Sequence, residues 1–156
     1  MAQWALVTGA TAGIGESFTR LLASKGYNVA LVARDEARLH ERAAGLREKY
    51  GVQTFVLPAD LSTNAGCRAV EDYISTYDID VLINNAGVMG PKQQSLVEMD
   101  NAAWLETFAI NTIAPFTLSR LLLGNLSLSK RPRIVTISSQ MGALSRNSTG
   151  AFAYRS

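Results

Sequence analysis

The chain has 156 residues, 47% of them apolar and 18% charged, with a formal net charge of +2. That is the make-up of one folded domain, not of a disordered chain, and the scattered basic residues lack the clustering of a nucleic-acid binder. A single cysteine, Cys67, excludes an internal disulfide framework, and no run of about 18 apolar residues is present to span a membrane.

Five short runs read as strands in chain order: Trp4–Val7, Asn28–Ala33, Gln53–Leu57, Val81–Asn84 and Arg133–Ile137. Each is apolar on successive residues and bounded by turn residues, as expected of strands buried on both faces. The segments between them carry a helical period. Ile14, Phe18 and Leu21 form a first stripe, and Leu39, Ala43, Leu46 and Tyr50 a second. Cys67, Val70, Ile74 and Tyr77 form a third, and Trp104, Phe108, Asn111, Pro115 and Leu118 a fourth; all four are expected to face the core. The alternation specifies an α/β fold, a Rossmann-type doubly wound parallel sheet in strand order 3-2-1-4-5, because crossovers are right-handed. Residues 1–156 are read as one such domain. Two loops, Gly87–Asp100 and Met141–Ala151, fall at the carboxyl ends of strands four and five, where an open parallel sheet holds its ligand. The N-terminus lacks the charged flank and cleavage site of a secretory leader, so a cytoplasmic protein is expected.

Thr8-Gly9-Ala10-Thr11-Ala12-Gly13-Ile14-Gly15 joins the first strand to the first helix. Gly9 permits the tight turn, Gly13 lets the backbone approach a pyrophosphate, and Gly15 lets helix pack closely on strand. The helix start then offers N–H groups and a positive dipole end to the phosphates. After the second strand, Ala33 stands where an acid would select a ribose 2′-hydroxyl, and Arg34 presents a guanidinium to a 2′-phosphate. Asp35 is assigned to capping the second helix. These residues favour NADP over NAD. With one histidine, His40, and one cysteine, no metal site is expected.

The motif from Thr8 to Gly15 resembles the cofactor motif of the short-chain dehydrogenase/reductase superfamily, and three further matches follow in order. Asp60-Leu61 stands where that family flanks the adenine, Asn84-Asn85-Ala86-Gly87 resembles its strand-four motif, and Ser138-Ser139 with Gly142 resembles its active-site serine segment. The resemblance implies an NADP-preferring, carbonyl-reductase-like oxidoreductase acting on a small-molecule carbonyl or alcohol. In it Thr8, Gly9, Thr11, Gly13, Ile14, Gly15, Arg34, Asp60, Leu61, Asn85, Ala86 and Gly87 hold the cofactor. Ser139 polarises the substrate oxygen, Tyr154 exchanges the proton, and Asn111 supports the relay. It also implies a homodimer or homotetramer. The Ser139-to-Tyr154 interval is slightly longer than the family's, but the aromatic at the shorter spacing, Phe152, has no hydroxyl. The family's lysine, four residues after the tyrosine, falls beyond Ser156, and Arg155 is a poor substitute because it is adjacent to the tyrosine. The chain is therefore expected to be C-terminally incomplete and to bind cofactor with little turnover. Pro115 lacks an N–H and leaves the Asn111 carbonyl without its helical partner, free to hold a water. The rival readings are a non-catalytic dinucleotide-binding or signalling protein on the same fold, and a methyltransferase-type binder, which the Asn84–Gly87 and Ser139…Tyr154 motifs disfavour.

Overall fold

A computed structural model describes residues 3–94, 97–143, 145 and 151–155. Five parallel strands, β1 (Trp4–Thr8), β2 (Asn28–Ala33), β3 (Thr54–Pro58), β4 (Val81–Asn84) and β5 (Arg133–Thr136), form one sheet in the order β3-β2-β1-β4-β5. The helices are α1 (Gly13–Ser24), α2 (Glu36–Tyr50), α3 (Asn64–Ile74), α4 (Asn101–Phe108), α5 (Ala114–Leu121), α6 (Leu123–Ser127) and α7 (Phe152–Arg155). A π-helical turn, Ala109–Ile113, joins α4 to α5. The expected doubly wound architecture and strand order are those observed.

The sheet sorts its side chains by parity. Trp4, Leu6, Ala30, Val32 and Leu82 face α3 and α5, while Ala5, Val7, Val29, Leu31 and Ile83 face α1 and α2. Covering both faces is why the central strands read as unbroken apolar runs. The edges depart from that reading. β3 is only half-buried over Thr54–Val56, and β5 is largely exposed, with Ile134 at 45%.

The second and third stripes face the core as expected, with Leu39, Ala43, Cys67, Val70 and Ile74 all at 2% exposure or less. The first does not. Ile14 and Leu21 are 59% and 50% exposed, and α1 instead packs through Gly15, Thr19, Leu22 and Ala23. Small residues bring the helix so close to the sheet that larger ones are turned outward. The fourth stripe fails in its first half: Trp104 and Phe108 lie at the surface, and Ile110, Ala114, Leu118 and Leu122 fill the core. Pro115 is the physical reason. It cannot donate to the ladder, and the Ala114 N–H bonds the Ala109 carbonyl in a wider turn that shifts the helix's phase.

In the first predicted loop, Gln94 and Met99 form an isolated antiparallel bridge; Ser95 and Leu96 lie outside the described residues. The second begins with a short 3-10 turn, Gln140–Gly142, and its residues 144 and 146–150 lie outside the described ones.

Candidate active site

The carboxyl ends of β1 and β4 are tied together by one side chain. Thr8 Oγ1 donates to the Ile83 carbonyl (3.3 Å) and accepts from the N–H groups of Asn85 and Ala86, both at 2.9 Å. Asn85 answers by donating its amide to the carbonyls of Thr8 (3.1 Å) and Gly9 (3.3 Å). The phosphate loop and the Asn84–Gly87 segment are therefore one unit.

The glycines have separable duties. A Cβ on Gly15 would meet the Gly9 carbonyl and Asn85 Nδ2, so this position is closed by backbone. Gly13 has φ +56° and nothing within 4 Å of such a Cβ. It borders open space, as a residue beside a bound pyrophosphate must. Ala12 stands at the start of α1 without a side-chain cap, whereas Asp35, Thr63 and Asp100 cap α2, α3 and α4. The first-turn N–H groups of α1 keep their capacity for an anion.

Two adjoining clefts run across the strand ends and share Asn85, Ala86, Gly87 and Val88. The first, about 360 Å³, is lined by Gly9, Thr11, Ala12, Ala33, Arg34, Ala59, Leu61 and Ile110, among others. Asp35 does cap α2, accepting from the Arg38 N–H at 3.0 Å. Arg34 is 64% exposed at the rim, with its guanidinium 4.0 Å from Glu106. Asp60 stands between Ala59 and Leu61, both of which line the cleft. Its carboxylate accepts from both the N–H (3.0 Å) and the hydroxyl (2.7 Å) of Ser62. Those bonds, aided by the nearby Arg34 charge, hold it below the usual carboxylate range.

The second cleft, about 560 Å³, brings together Ile14, Asn111, Ser138, Ser139, Gly142 and Tyr154. The three catalytic candidates, Asn111, Ser139 and Tyr154, thus converge although they come from separate segments. Ser139 caps the 3-10 turn by accepting from the Met141 N–H at 3.1 Å. The side chain of Asn111 makes a pair of bonds to one residue: Oδ1 accepts from the Val88 N–H and Nδ2 donates to the Val88 carbonyl, each at 2.9 Å. Its side chain therefore fixes the loop after β4. Arg155 donates to the Met141 carbonyl (2.9 Å), so its head group is held at that turn. Gln94, unnoticed in the sequence, accepts from the Tyr154 N–H (3.2 Å) and donates to the carbonyls of Met89 and Pro91, both 2.7 Å. Ala59, Val88 and Ile110 were also missed as lining. They are plain apolar residues, and only their position after a strand or at the π turn could have flagged them.

Residues 3–155 match the family described as short chain dehydrogenase. The chain belongs to that family. This short-chain dehydrogenase is 34% identical over 137 residues to a very-long-chain 3-oxoacyl-CoA reductase-like protein of Arabidopsis thaliana, covering 87% of the chain and 44% of the relative. It is 31% identical to the human inactive hydroxysteroid dehydrogenase-like protein 1, covering 88% of the chain and 42% of the relative. Among solved structures, it superposes with TM-score 0.87 on a short-chain dehydrogenase from Sphingobium yanoikuyae in complex with NADPH. That match is 32% identical and covers 98% of this chain and 59% of the other. The chain spans less than half the length of these two curated relatives.

The relatives also correct the cytoplasmic placement expected from the sequence. Very-long-chain acyl thioesters and hydroxysteroids are lipid chemistries, and proteins named for them overturn a default that rested on a missing leader. Among the described residues, no helix is long and apolar enough to cross a membrane.

Proposed function

We propose that this short-chain dehydrogenase binds NADP(H) along the two adjoining clefts and interconverts a carbonyl and an alcohol. The observation that carries the reading is the shared wall Asn85–Val88. It makes one continuous track from the Arg34 rim, past the uncapped start of α1, to the cleft holding Ser139 and Tyr154. When bound, the reduced nicotinamide supplies hydride. The chain's own groups do the rest. The open backbone at Gly13 and the first-turn N–H groups of α1 receive the pyrophosphate, and Arg34 receives a 2′-phosphate. The Ser139 hydroxyl orients and polarises the substrate oxygen, and the Tyr154 hydroxyl gives or takes the proton. Asn111 keeps Val88, and with it the cleft wall, in place.

Titration with NADPH and NADH tests the cofactor reading. Arg34→Ala is expected to weaken NADPH about tenfold or more, the value of a charge-assisted bond, and to leave NADH unchanged. Equal losses for both nucleotides would refute the role of Arg34. Loss of NADPH absorbance over a carbonyl panel that includes 3-oxoacyl thioesters tests the chemistry. Substrate-dependent oxidation that Tyr154→Phe reduces by roughly 10²-fold or more supports the assignment, and a rate untouched by it would end it. The human relative's name marks that protein as inactive, and binding without turnover in a longer chain that supplies a lysine four residues after Tyr154 would select a non-catalytic dinucleotide binder instead.

A further inference from the structure

Glu16 places a carboxylate one turn into α1, beside the part of the loop that must receive a diphosphate. A negative charge there suits an empty helix start, but it opposes an incoming anion. The carboxylate is not left alone. Its side chain is only 17% exposed, and Arg42, reaching across from α2, sets its Nε 3.6 Å from Glu16 Oε1. The same Nε donates to the Thr11 carbonyl at 3.3 Å, so one guanidinium touches both the charge and the phosphate loop itself. Arg20 also pairs with Glu16, at 3.2 Å, but along its own helix and with 55% of its side chain exposed; such pairs are worth little in water. Glu41 is the other acid facing Arg42, at 3.6 Å and 68% exposed. Of the charges around Glu16, Arg42 alone joins two helices and a loop carbonyl.

We infer that Arg42 is a positioning residue for the dinucleotide, holding the Thr11 carbonyl and cancelling Glu16 so that the start of α1 presents net positive potential to the pyrophosphate. Arg42 reaches this site from the middle of α2, eight residues after Arg34, and acts on a different part of the cofactor. Arg34 discriminates the 2′-position. Arg42 serves the diphosphate that NADPH and NADH share, and so sets affinity without selectivity. The inference rests on the dinucleotide-binding reading above.

The informative variant is Arg42→Gln, which keeps a stem and a donor for Thr11 while dropping the charge. Fluorescence titration of the purified chain with NADPH and NADH, at low and moderate salt, provides the readout, with circular dichroism and a thermal melt on each nucleotide-free variant. Arg42→Gln is expected to weaken both nucleotides by a similar factor of roughly ten, with a shallower dependence on salt. Adding Glu16→Gln is expected to recover most of that loss, because it removes the charge left unbalanced. Should Arg42→Gln fold poorly, Arg42→Lys with and without Glu16→Gln makes the converse comparison: charge kept, bond to Thr11 weakened, and most affinity retained. Wild-type affinity in Arg42→Gln, a loss confined to NADPH, or a loss that Glu16→Gln leaves untouched would each overturn the inference. A wild-type chain that binds neither nucleotide would overturn the dinucleotide reading and this one with it.

Discussion

Gly13 and Gly15 are two residues apart in one loop, yet the structure assigns them opposite sensitivities. At Gly15 an added Cβ would stand 2.5 Å from Asn85 Nδ2 and 2.8 Å from the Gly9 carbonyl carbon, and closer still to its oxygen. Ordinary contact begins near 3.4 Å, so the Gly9 backbone would have to retreat by more than half an ångström. It has little freedom to do so, because Asn85 and the Thr8 hydroxyl clamp that segment. Gly15→Ala is therefore an overpacking lesion in backbone, expected at the upper end of about 1–3 kcal/mol or beyond. For a chain of this size that is a melting temperature lower by roughly 6–12 °C. At Gly13 nothing stands within 4 Å, and the only local cost is a positive φ, about 1–2 kcal/mol for an alanine. Gly13→Ala is expected to melt roughly 2–8 °C below wild type while losing most nucleotide affinity, because its methyl group would stand where the pyrophosphate approaches the backbone. The assay pairs thermal melts monitored by circular dichroism with NADPH titration. Equal melting losses in the two variants, or full NADPH affinity in Gly13→Ala, would refute the separation of closure from approach.

Two other expectations concern titratable groups. Burial, and secondarily the nearby Asp60 charge, raises the Cys67 thiol above its ordinary range, so it is expected to resist a disulfide reagent at neutral pH in folded protein and react at once in urea; fast reaction in the native state would disprove its burial. Asp60 is depressed in the fold by its Ser62 bonds, so its stabilisation is present above the unfolded carboxylate value and fades as pH falls through the lower folded value. The melting difference between wild type and Asp60→Asn is accordingly expected to shrink between pH 6 and pH 3, and a gap that widens on acidification would contradict it.

The sheet and its ligand-binding end were legible because they rest on signals a sequence carries plainly: apolar runs covered on both faces, and glycines at turns no other residue tolerates. The capping role of Asp35 was legible for the same reason, since a short carboxylate before a helix has one dominant use. What escaped was decided by proximity. Gly15 and Thr19 bury α1 without any apolar signature, so the eye follows Ile14 and Leu21, which the close approach pushes outward. Pro115 announces a fault in the helix ladder without saying how it is repaired, and the repair determines which later residues are buried. Arg42 donates to a backbone carbonyl, and Gln94 accepts from the Tyr154 N–H, each far away along the chain, and such partners leave no trace in spacing.

The wide turn at Ala109–Ile113 acts as a phase adjuster between two stretches of one rod. Upstream, Trp104 and Phe108 lie at the surface; downstream, Leu118 and Leu122 are buried in the core; and between them Asn111 clasps Val88. The geometry of the cleft wall is thus written into a single surplus residue, and losing it would misalign the wall while every side chain kept its identity.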